Sequence, residues 1–326
     1  MAKRNQIYND AVWEKVNKEN KSILSDYILE MKSNNRSEKT IYQYAADIKM
    51  FFCWSYAEED NKSILKMKKR SFRRFFLELQ ESGTSPSRIN RVQCSLRNML
   101  EFCVNDDDEY EDYEINVMKS VKGLSKEEVR DIVFLTDEQV TLILDKLIEK
   151  KQYQKALYCS LSYDSAGRRA EVFQVMKDGF LDSGKTNEVR GKGAKRFSLI
   201  KLSRTNEIAR MYFEQRGEDD IPELWIVGKD EDRRAAKYET LYNWAKSFRS
   251  ILFKEYGEVI LLNSHSFRHS ALENYSNGSH YNLSELGKDK LDLKTLKALA
   301  NHNDISTTEG YLKDRDEELL NETFNL

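Results

Sequence analysis

The most informative part of the chain begins with Asn263-Ser264-His265-Ser266-Phe267-Arg268-His269-Ser270. This closing stretch continues through Leu299-Ala300-Asn301-His302 to Gly310-Tyr311 and holds all four histidines of the protein. Arginine binds a phosphate with two parallel hydrogen bonds, imidazole exchanges protons near neutral pH, and tyrosine can act as a nucleophile. Together they indicate chemistry on a phosphodiester. A nuclease that transfers its bond to water needs no such tyrosine.

Length and composition favour a cytoplasmic protein of two domains. With 326 residues the chain exceeds one typical domain and has enough apolar sequence for two cores. The polar N-terminus and the lack of a long apolar run predict neither a signal peptide nor a membrane-spanning helix. The cysteines show no CxxC pair and no metal-ligand spacing to a histidine, which predicts buried, reduced thiols. They are Cys53, Cys94, Cys103 and Cys159.

The net charge of −2 is low for a protein that binds nucleic acid, because phosphate-binding domains usually carry a basic excess. The charges are nevertheless segregated. Residues 61–100 contain ten Lys or Arg and two Glu, whereas residues 101–120 contain eight acids and one Lys. A basic surface followed by an acidic connector is therefore compatible with the near-neutral total.

Helical periodicity dominates the first hundred residues and predicts a compact module of four or five helices. Apolar residues of one face recur over Ser22–Met31, Ser37 and Thr40 can cap the next helix, and a third helix begins near Ser71. A fourth is expected over Ile89–Val104. Residues 105–129 are acidic and aperiodic, which indicates a solvated linker; an acid run that mimics or repels phosphate is the alternative.

The second half combines helices with one hairpin. Thr136 is the expected N-cap of a helix, and further helices are predicted over residues 154–163, 206–215 and 238–256. Residues 187–200 form two short apolar-polar segments around glycines with a basic tip, the pattern of a β-hairpin.

Four motifs of the second half resemble those of the tyrosine recombinases, the phage integrase family. Residues 163–172 (Tyr-Asp-Ser-Ala-Gly-Arg-Arg-Ala-Glu-Val) resemble the first arginine motif, and residues 265–269 (His-Ser-Phe-Arg-His) resemble the HxxR motif. His302, followed nine residues later by Tyr311, is similar to the terminal motif with the nucleophile. Lys192, within Gly-Lys-Gly, stands where the family has a β-hairpin lysine.

The resemblance extends to the N-terminal half, where residues 37–100 are similar to the helical core-binding domain of the family. It implies a mainly α fold with a small antiparallel β-sheet (α+β). Residues 1–128 are expected to form the N-terminal helical core-binding (SAM-like) DNA-binding domain with its acidic linker. Residues 129–326 are expected to form the catalytic domain.

The resemblance also implies catalytic roles for Arg168, Lys192, His265, Arg268, His302 and Tyr311. Two arginines stabilise the extra negative charge of a pentacoordinate phosphorus, and the histidines handle protons or bind the phosphate. The hairpin lysine protonates the leaving 5′-oxygen, and the tyrosine forms a 3′-phosphotyrosyl link without ATP or a metal. Glu171 is expected to orient the first arginine. His269 is interpreted as a helix residue packed near the site and His280 as a loop residue.

Some assignments have alternatives. Arg169 replaces Arg168 as phosphate ligand if the motif is shifted by one residue, and a basic hairpin tip can also serve only to contact the DNA backbone. Asn301 stands where the family usually has glycine, and asparagine tolerates the left-handed backbone angles of such a turn. The predicted DNA contacts are Arg70, Arg73, Arg74, Arg88, Arg91, Lys195 and Arg196.

We therefore predict a protein that clamps double-stranded DNA, self-associates on it, and cleaves and exchanges strands at specific sites as the integrase of a mobile element. No cofactor or metal is expected. The main alternative is a prophage repressor with the recombinase fold and no recombinase activity; a type IB topoisomerase is a third. The acidic segment 314–326 is predicted to pack either on a neighbouring protomer or on its own domain.

Overall fold

The structure, a computed structural model, describes residues 7–106, 108–125, 132–180 and 184–312. The chain divides into two compact units, Met1–Asp131 and Ile132–Leu326. The predicted docking segment 314–326 lies outside the described residues. Within the described ranges, no helix has the length and apolar character needed to cross a membrane.

The first unit is a helical module around an aromatic core. Ser37 accepts a hydrogen bond from the amide of Thr40 and so caps the longest helix, as predicted. Phe51 of that helix is fully buried, and its ring centroid lies 5.0 Å from Phe72 and 5.1 Å from Phe75. The described part of this unit contains five α-helices: α1 Asp10–Trp13, α2 Lys18–Ser33, α3 Glu38–Glu58, α4 Lys69–Glu81 and α5 Pro86–Asn105.

The segment interpreted as a solvated linker is partly built into this unit. Met118 and Val121 are buried in its core, around a 3₁₀ turn at Val117–Ser120. Asn90 fixes the following residues because its amide group exchanges two hydrogen bonds of 2.8 Å with the backbone of Leu124. The acidic residues Asp108, Glu109, Glu111, Asp112 and Glu114 are exposed in turns and coil, as predicted for a solvated loop. The burial of Met118 and Val121 corrects the prediction for the residues that follow the acid run.

The second unit surrounds a separate apolar core. Thr136 and Gln139 form a reciprocal capping box at its first helix, which confirms the predicted N-cap. The helix predicted over residues 238–256 is divided in two at the buried Phe248. The described α-helices of this unit are α6 Asp137–Glu149, α7 Tyr153–Asp164, α8 Arg169–Phe173, α9 Ser203–Arg216, α10 Tyr238–Ser247, α11 Arg249–Tyr256, α12 Ser266–Asn277, α13 Asn282–Leu286, α14 Leu293–Leu299 and α15 Ile305–Glu309.

The described part of the second unit also contains two small antiparallel sheets. Strand β1 (Lys185–Arg190) pairs with β2 (Arg196–Ile200), which confirms the predicted hairpin. Strands β3 (Ile226–Val227) and β4 (Arg234–Ala235) form a second pair that the sequence did not indicate. The fold is thus mainly α with small antiparallel sheets, as expected.

The cysteines are free thiols, and the expectation of burial holds for Cys53, Cys103 and Cys159 but only partly for Cys94, which is half-buried. Cys94 lies on the face of α5 that meets Tyr44, whose hydroxyl is 3.7 Å from its sulfur. The prediction of full burial fails there because that face of the helix also reaches the surface.

We expect truncation of the aromatic core to destabilise the first unit selectively. Phe51→Ala leaves a cavity among stacked rings and should lower the free energy of unfolding of this unit by about 4 kcal/mol. Leu77→Ala removes an apolar side chain that is 54% exposed on α4. This substitution should change the free energy of unfolding of the first unit by less than about 0.5 kcal/mol. Urea-dependent hydrogen exchange of the α3 amides measures both values. Equal effects of the two substitutions would contradict the described core.

Candidate active site

Arg268 joins three distant segments of the second unit. It lies in the first turn of α12 and is 1% exposed. Its Nη1 donates to the carbonyl of Ala166 at 2.6 Å, and its Nη2 donates to the carbonyl of Ala300 at 2.7 Å. Those carbonyls lie two residues before Arg168 and two residues before His302. One guanidinium therefore brings the two arginine motifs and the terminal motif together.

His302 is held as a neutral imidazole with a defined tautomer. Its Nε2 lies 2.6 Å from Nη2 of Arg268, and its Nδ1 lies 3.0 Å from the hydroxyl of Thr308. A guanidinium only donates hydrogen bonds, so Nε2 must be the acceptor and Nδ1 must carry the proton. Burial and then the charges of Arg268 and Arg168 lower the pKa of His302 to about 4.

Arg168 stands at the N-cap of α8 and is oriented by Glu171. The Glu171 carboxylate accepts from the Arg168 amide and from its Nη1, both at 2.8 Å, and is itself buried. Arg169 points elsewhere: its guanidinium lies 3.9 Å from the ring centroid of Tyr238 and pairs with Glu239 at 3.4 Å. The geometry therefore favours Arg168 over Arg169 as the phosphate ligand.

The two guanidiniums lie within each other's electric field. Burial is the main cause that lowers the pKa of Arg268 to about 10, and the positive charge of Arg168 lowers it further. The site thus brings together two guanidinium groups, which can stabilise an oxyanion.

The ring of Tyr311 packs among the cationic and imidazole groups. Its centroid lies 5.0 Å from the Arg268 guanidinium, 5.0 Å from the His302 ring and 5.3 Å from the His265 ring. His269 stacks on it at 4.4 Å, and its Nδ1 lies 3.3 Å from the Tyr311 carbonyl. The phenol from the end of the described chain is thus placed over the guanidinium expected to bind phosphate.

His265 and His280 occupy different environments. His265 keeps an exposed edge, but partial burial, the neighbouring His269 and the two arginines lower its pKa to about 4. His280 does lie in a loop, yet it is buried between the rings of Tyr275 and Tyr163, at centroid distances of 3.6 and 4.1 Å. It packs in the core and does not line the site.

Lys192 lies exposed in the tip of the hairpin, on a 3₁₀ turn over Lys192–Ala194. The preceding Gly191 comes so close to the site that an added Cβ would stand 3.2 Å from Oε1 of Glu171 and 3.4 Å from Nδ2 of Asn301. The base of the tip therefore lies against the residues that flank Arg168 and His302, and Lys192 is the next residue along the chain.

Several predicted DNA contacts are already paired with acids. Arg74 contacts Glu58 and Glu59, and Arg88 and Arg91 both pair with Asp47, which is fully buried. Arg70 and Arg73 are exposed on α4, whereas Lys195 and Arg196 are exposed on the hairpin. These ion pairs neutralise part of the basic surface, consistent with the low net charge.

Sequence reasoning missed the supporting residues. Thr308 was not assigned, although its place six residues after His302, one helical turn onto α15, could have suggested the hydrogen bond. Ala166 and Asn301 both adopt positive φ, 49° and 50°. The left-handed turn at Asn301 confirms the expectation for that position; nothing in the sequence indicated the one at Ala166. In the described ranges, no cluster of three His, Cys, Asp or Glu side chains could hold a metal ion.

Comparisons with known proteins agree with this fold. A family model described as phage integrase, N-terminal SAM-like domain, matches residues 24–106. The SPbeta prophage-derived recombinase-like protein YomM of Bacillus subtilis is 27% identical over 332 residues, covering 97% of this chain and 93% of that protein. The tyrosine recombinase XerA of Thermococcus kodakarensis is 24% identical over 296 residues, covering 89% of this chain and 90% of that protein.

Solved structures show the same architecture. A lambda integrase dimer bound to a COC′ core site superposes with a TM-score of 0.64 at 13% identity, covering 90% of this chain and 77% of that one. The XerH site-specific recombinase bound to palindromic difH substrate gives a TM-score of 0.65 at 15% identity, covering 90% and 82%. The fold is that of the integrases. The family model over residues 24–106 and the near full-length relatives make the chain similar to the tyrosine recombinases.

We expect His265 and His302 to remain neutral throughout the physiological range. Their lowered pKa values mean that the folded protein resists protonation, so their imidazole NMR signals should not shift between pH 8 and about pH 5.5. In urea the same histidines should titrate near pH 6.5. His265→Gln and His302→Gln variants assign the signals. Folded-state midpoints near 6.5 would contradict the described burial and cationic surroundings.

Proposed function

We propose that the protein binds double-stranded DNA and performs site-specific strand cleavage and exchange with Tyr311 as nucleophile, as the recombinase of a mobile element. The observation that carries the proposal is the position of the Tyr311 ring, about equally close to Arg268, His302 and His265. A tyrosine kept only for packing has no need of two imidazoles and a buried guanidinium around it.

In the proposed reaction the phenol oxygen attacks the phosphorus as the bond to the 5′-oxygen breaks. Arg168 and Arg268 donate to the non-bridging oxygens, where negative charge increases in the transition state. The phenol must lose its proton as it attacks, and the neutral imidazole of His265 beside the ring can accept it. Lys192 protonates the leaving 5′-oxygen.

The products are a 3′-phosphotyrosyl link and a free 5′-hydroxyl. The link retains the energy of the phosphodiester, so a second 5′-hydroxyl can reverse the reaction on another strand. Structures of the same fold support the partners proposed here: a lambda integrase dimer is bound to a COC′ core site, and XerH is bound to palindromic difH substrate. We accordingly propose that this chain also assembles with further copies of itself on its site.

A DNA-binding regulator of the same fold is the second candidate, and one observation favours it. Both Nη groups of Arg268 donate to carbonyls of the protein, and the side chain is almost completely buried. A guanidinium used in this way can serve folding alone. Such a protein would bind DNA, as a prophage repressor does, without cutting it.

A covalent-adduct assay separates the two candidates. Duplexes that bind the protein are selected from a random library, and a series nicked at each successive position of the selected site is then incubated with it. The recombinase should form a denaturation-resistant protein–DNA adduct on at least one nicked duplex. Tyr311→Phe should reduce adduct formation by about a thousandfold or more, because no other group can replace the nucleophile.

The matched control is Tyr256→Phe, which removes another phenol of the second unit, on a residue that is 44% exposed. It should leave adduct formation unchanged. Tight binding with no adduct on any nicked duplex would overturn the proposed enzyme and favour the regulator.

A further inference from the structure

The hairpin that carries Lys192 is tied to the end of α8 by the side chain of Gln174. The Gln174 Oε1 accepts from the amide of Arg190 at 2.9 Å, and its Nε2 donates to the carbonyl of the same residue at 3.0 Å. Nε2 also donates to the carbonyl of Ala170 within α8, at 2.6 Å. The primary amide therefore pairs with both backbone groups of Arg190, as a neighbouring strand would.

The hydrogen bonds between Gln174 and Arg190 lie at the end of β1, next to the hairpin tip that carries Lys192. Arg190 is the last residue of β1, paired with Arg196 across the hairpin, and it lies two residues before Lys192. A second tie lies lower on the strand, where the Asn187 side chain accepts from the amide of Met176 at 2.9 Å. Gln174 is thus the tie closest to Lys192, and it starts from the helix whose N-cap is Arg168.

The backbone that follows Arg190 also packs closely against neighbouring side chains at Gly191. An added Cβ on Gly191 would stand 2.8 Å from the Phe197 ring, as well as close to Glu171. Because Gly191 has no side chain, the backbone can approach the carboxylate of Glu171, the residue that pairs with Arg168. The Gln174 side chain holds the preceding residue, Arg190, in place through its two backbone hydrogen bonds. Rigid attachment is what a proton donor needs, because a misplacement of about 1 Å can cost about a hundredfold in rate.

We propose that Gln174 is a positioning residue for Lys192, setting the hairpin so that the lysine meets the 5′-oxygen of the phosphate bound by Arg168. This inference rests on the proposed function. Gln174 itself touches no reacting atom. Its loss should therefore impair only the protonation of the leaving group and leave the phosphate ligands in place.

A substrate that needs no proton donor isolates this step. In a nicked duplex with sulfur in place of the bridging 5′-oxygen, the Tyr311 oxygen bonds to phosphorus while the P–S bond breaks and a thiolate leaves. A thiol has a pKa of about 8.5, so it departs without protonation far more readily than an alcohol. Defects in the proton donor should disappear on this substrate, whereas defects in phosphate binding should remain.

We expect Gln174→Leu, which keeps the approximate shape but removes all three side-chain hydrogen bonds, to slow cleavage of the oxygen substrate by about tenfold to a hundredfold. Lys192→Ala should slow it by about 10²–10⁴-fold. On the sulfur substrate both variants should come within a few fold of the unaltered protein, and Arg168→Ala should stay slow. Adding Gln174→Leu to Lys192→Ala should slow the oxygen reaction no further.

Gln215→Leu is the matched control, because it removes a glutamine whose Nε2 donates to the carbonyl of Lys151 at 2.8 Å on an exposed surface. It should cleave both substrates at the unaltered rate. The DNA affinity of Gln174→Leu and Gln215→Leu should match that of the unaltered protein, and thermal unfolding should show that both variants are folded at the assay temperature.

The outcomes are distinct. Unaltered cleavage by Gln174→Leu, or equal slowing on both substrates, would overturn the positioning role while the recombinase assignment stands. Absence of cleavage by the unaltered protein on either substrate would overturn the proposed function, and the positioning role with it. Slowing on oxygen alone, matched by Lys192→Ala, is the result that supports it.

Discussion

The structure of the second unit depends on one buried charge, the guanidinium of Arg268. Placing such a group in the interior costs several kcal/mol unless its donors are satisfied. Here two carbonyls, those of Ala166 and Ala300, and the Nε2 of His302 accept from its two Nη groups, while its buried Nε has no hydrogen-bond partner among the described residues. Because the acceptors come from residues more than thirty positions away on either side, these hydrogen bonds also fix the loops that carry Arg168 and His302. The contacts that hold Arg268 in the interior therefore also position the candidate site.

The electrostatics follow from that arrangement. His302 accepts from Arg268 and is kept neutral, and His265 is kept neutral by partial burial and the nearby cations. The positive charge of the site thus resides on the arginines, while neutral imidazoles remain able to accept a proton. The Tyr311 ring covers the Arg268 guanidinium at 5.0 Å. A bound phosphate would replace this weak cation–π contact with charge-assisted hydrogen bonds, which are stronger.

Capping and turn signals in the sequence predicted the helices and the hairpin. The resemblance to the tyrosine recombinases predicted which residues lie together in the candidate site. Ser37 and Thr136 cap helices because capping depends on residues three positions apart, and the glycines around Lys192 predicted the hairpin. Contacts between residues far apart in the chain leave no comparable local pattern in the sequence. Met118 and Val121 are single apolar residues in an acidic run, so their burial could not be seen from periodicity. The pairing of Arg88 and Arg91 with Asp47 and of Gln174 with the Arg190 backbone joins positions that only the fold brings together.

The central claim is that Arg168, Arg268 and Tyr311 act on the same phosphorus. The most direct test is a crystal structure of the protein with orthovanadate and a duplex site cut to leave free 3′- and 5′-hydroxyls, because vanadate adopts the pentacoordinate geometry of the transition state. We expect vanadium to be bonded to the Tyr311 phenol oxygen, with both guanidiniums donating to its equatorial oxygens. Vanadate bound without Tyr311, with the phenol still packed over Arg268, would contradict it.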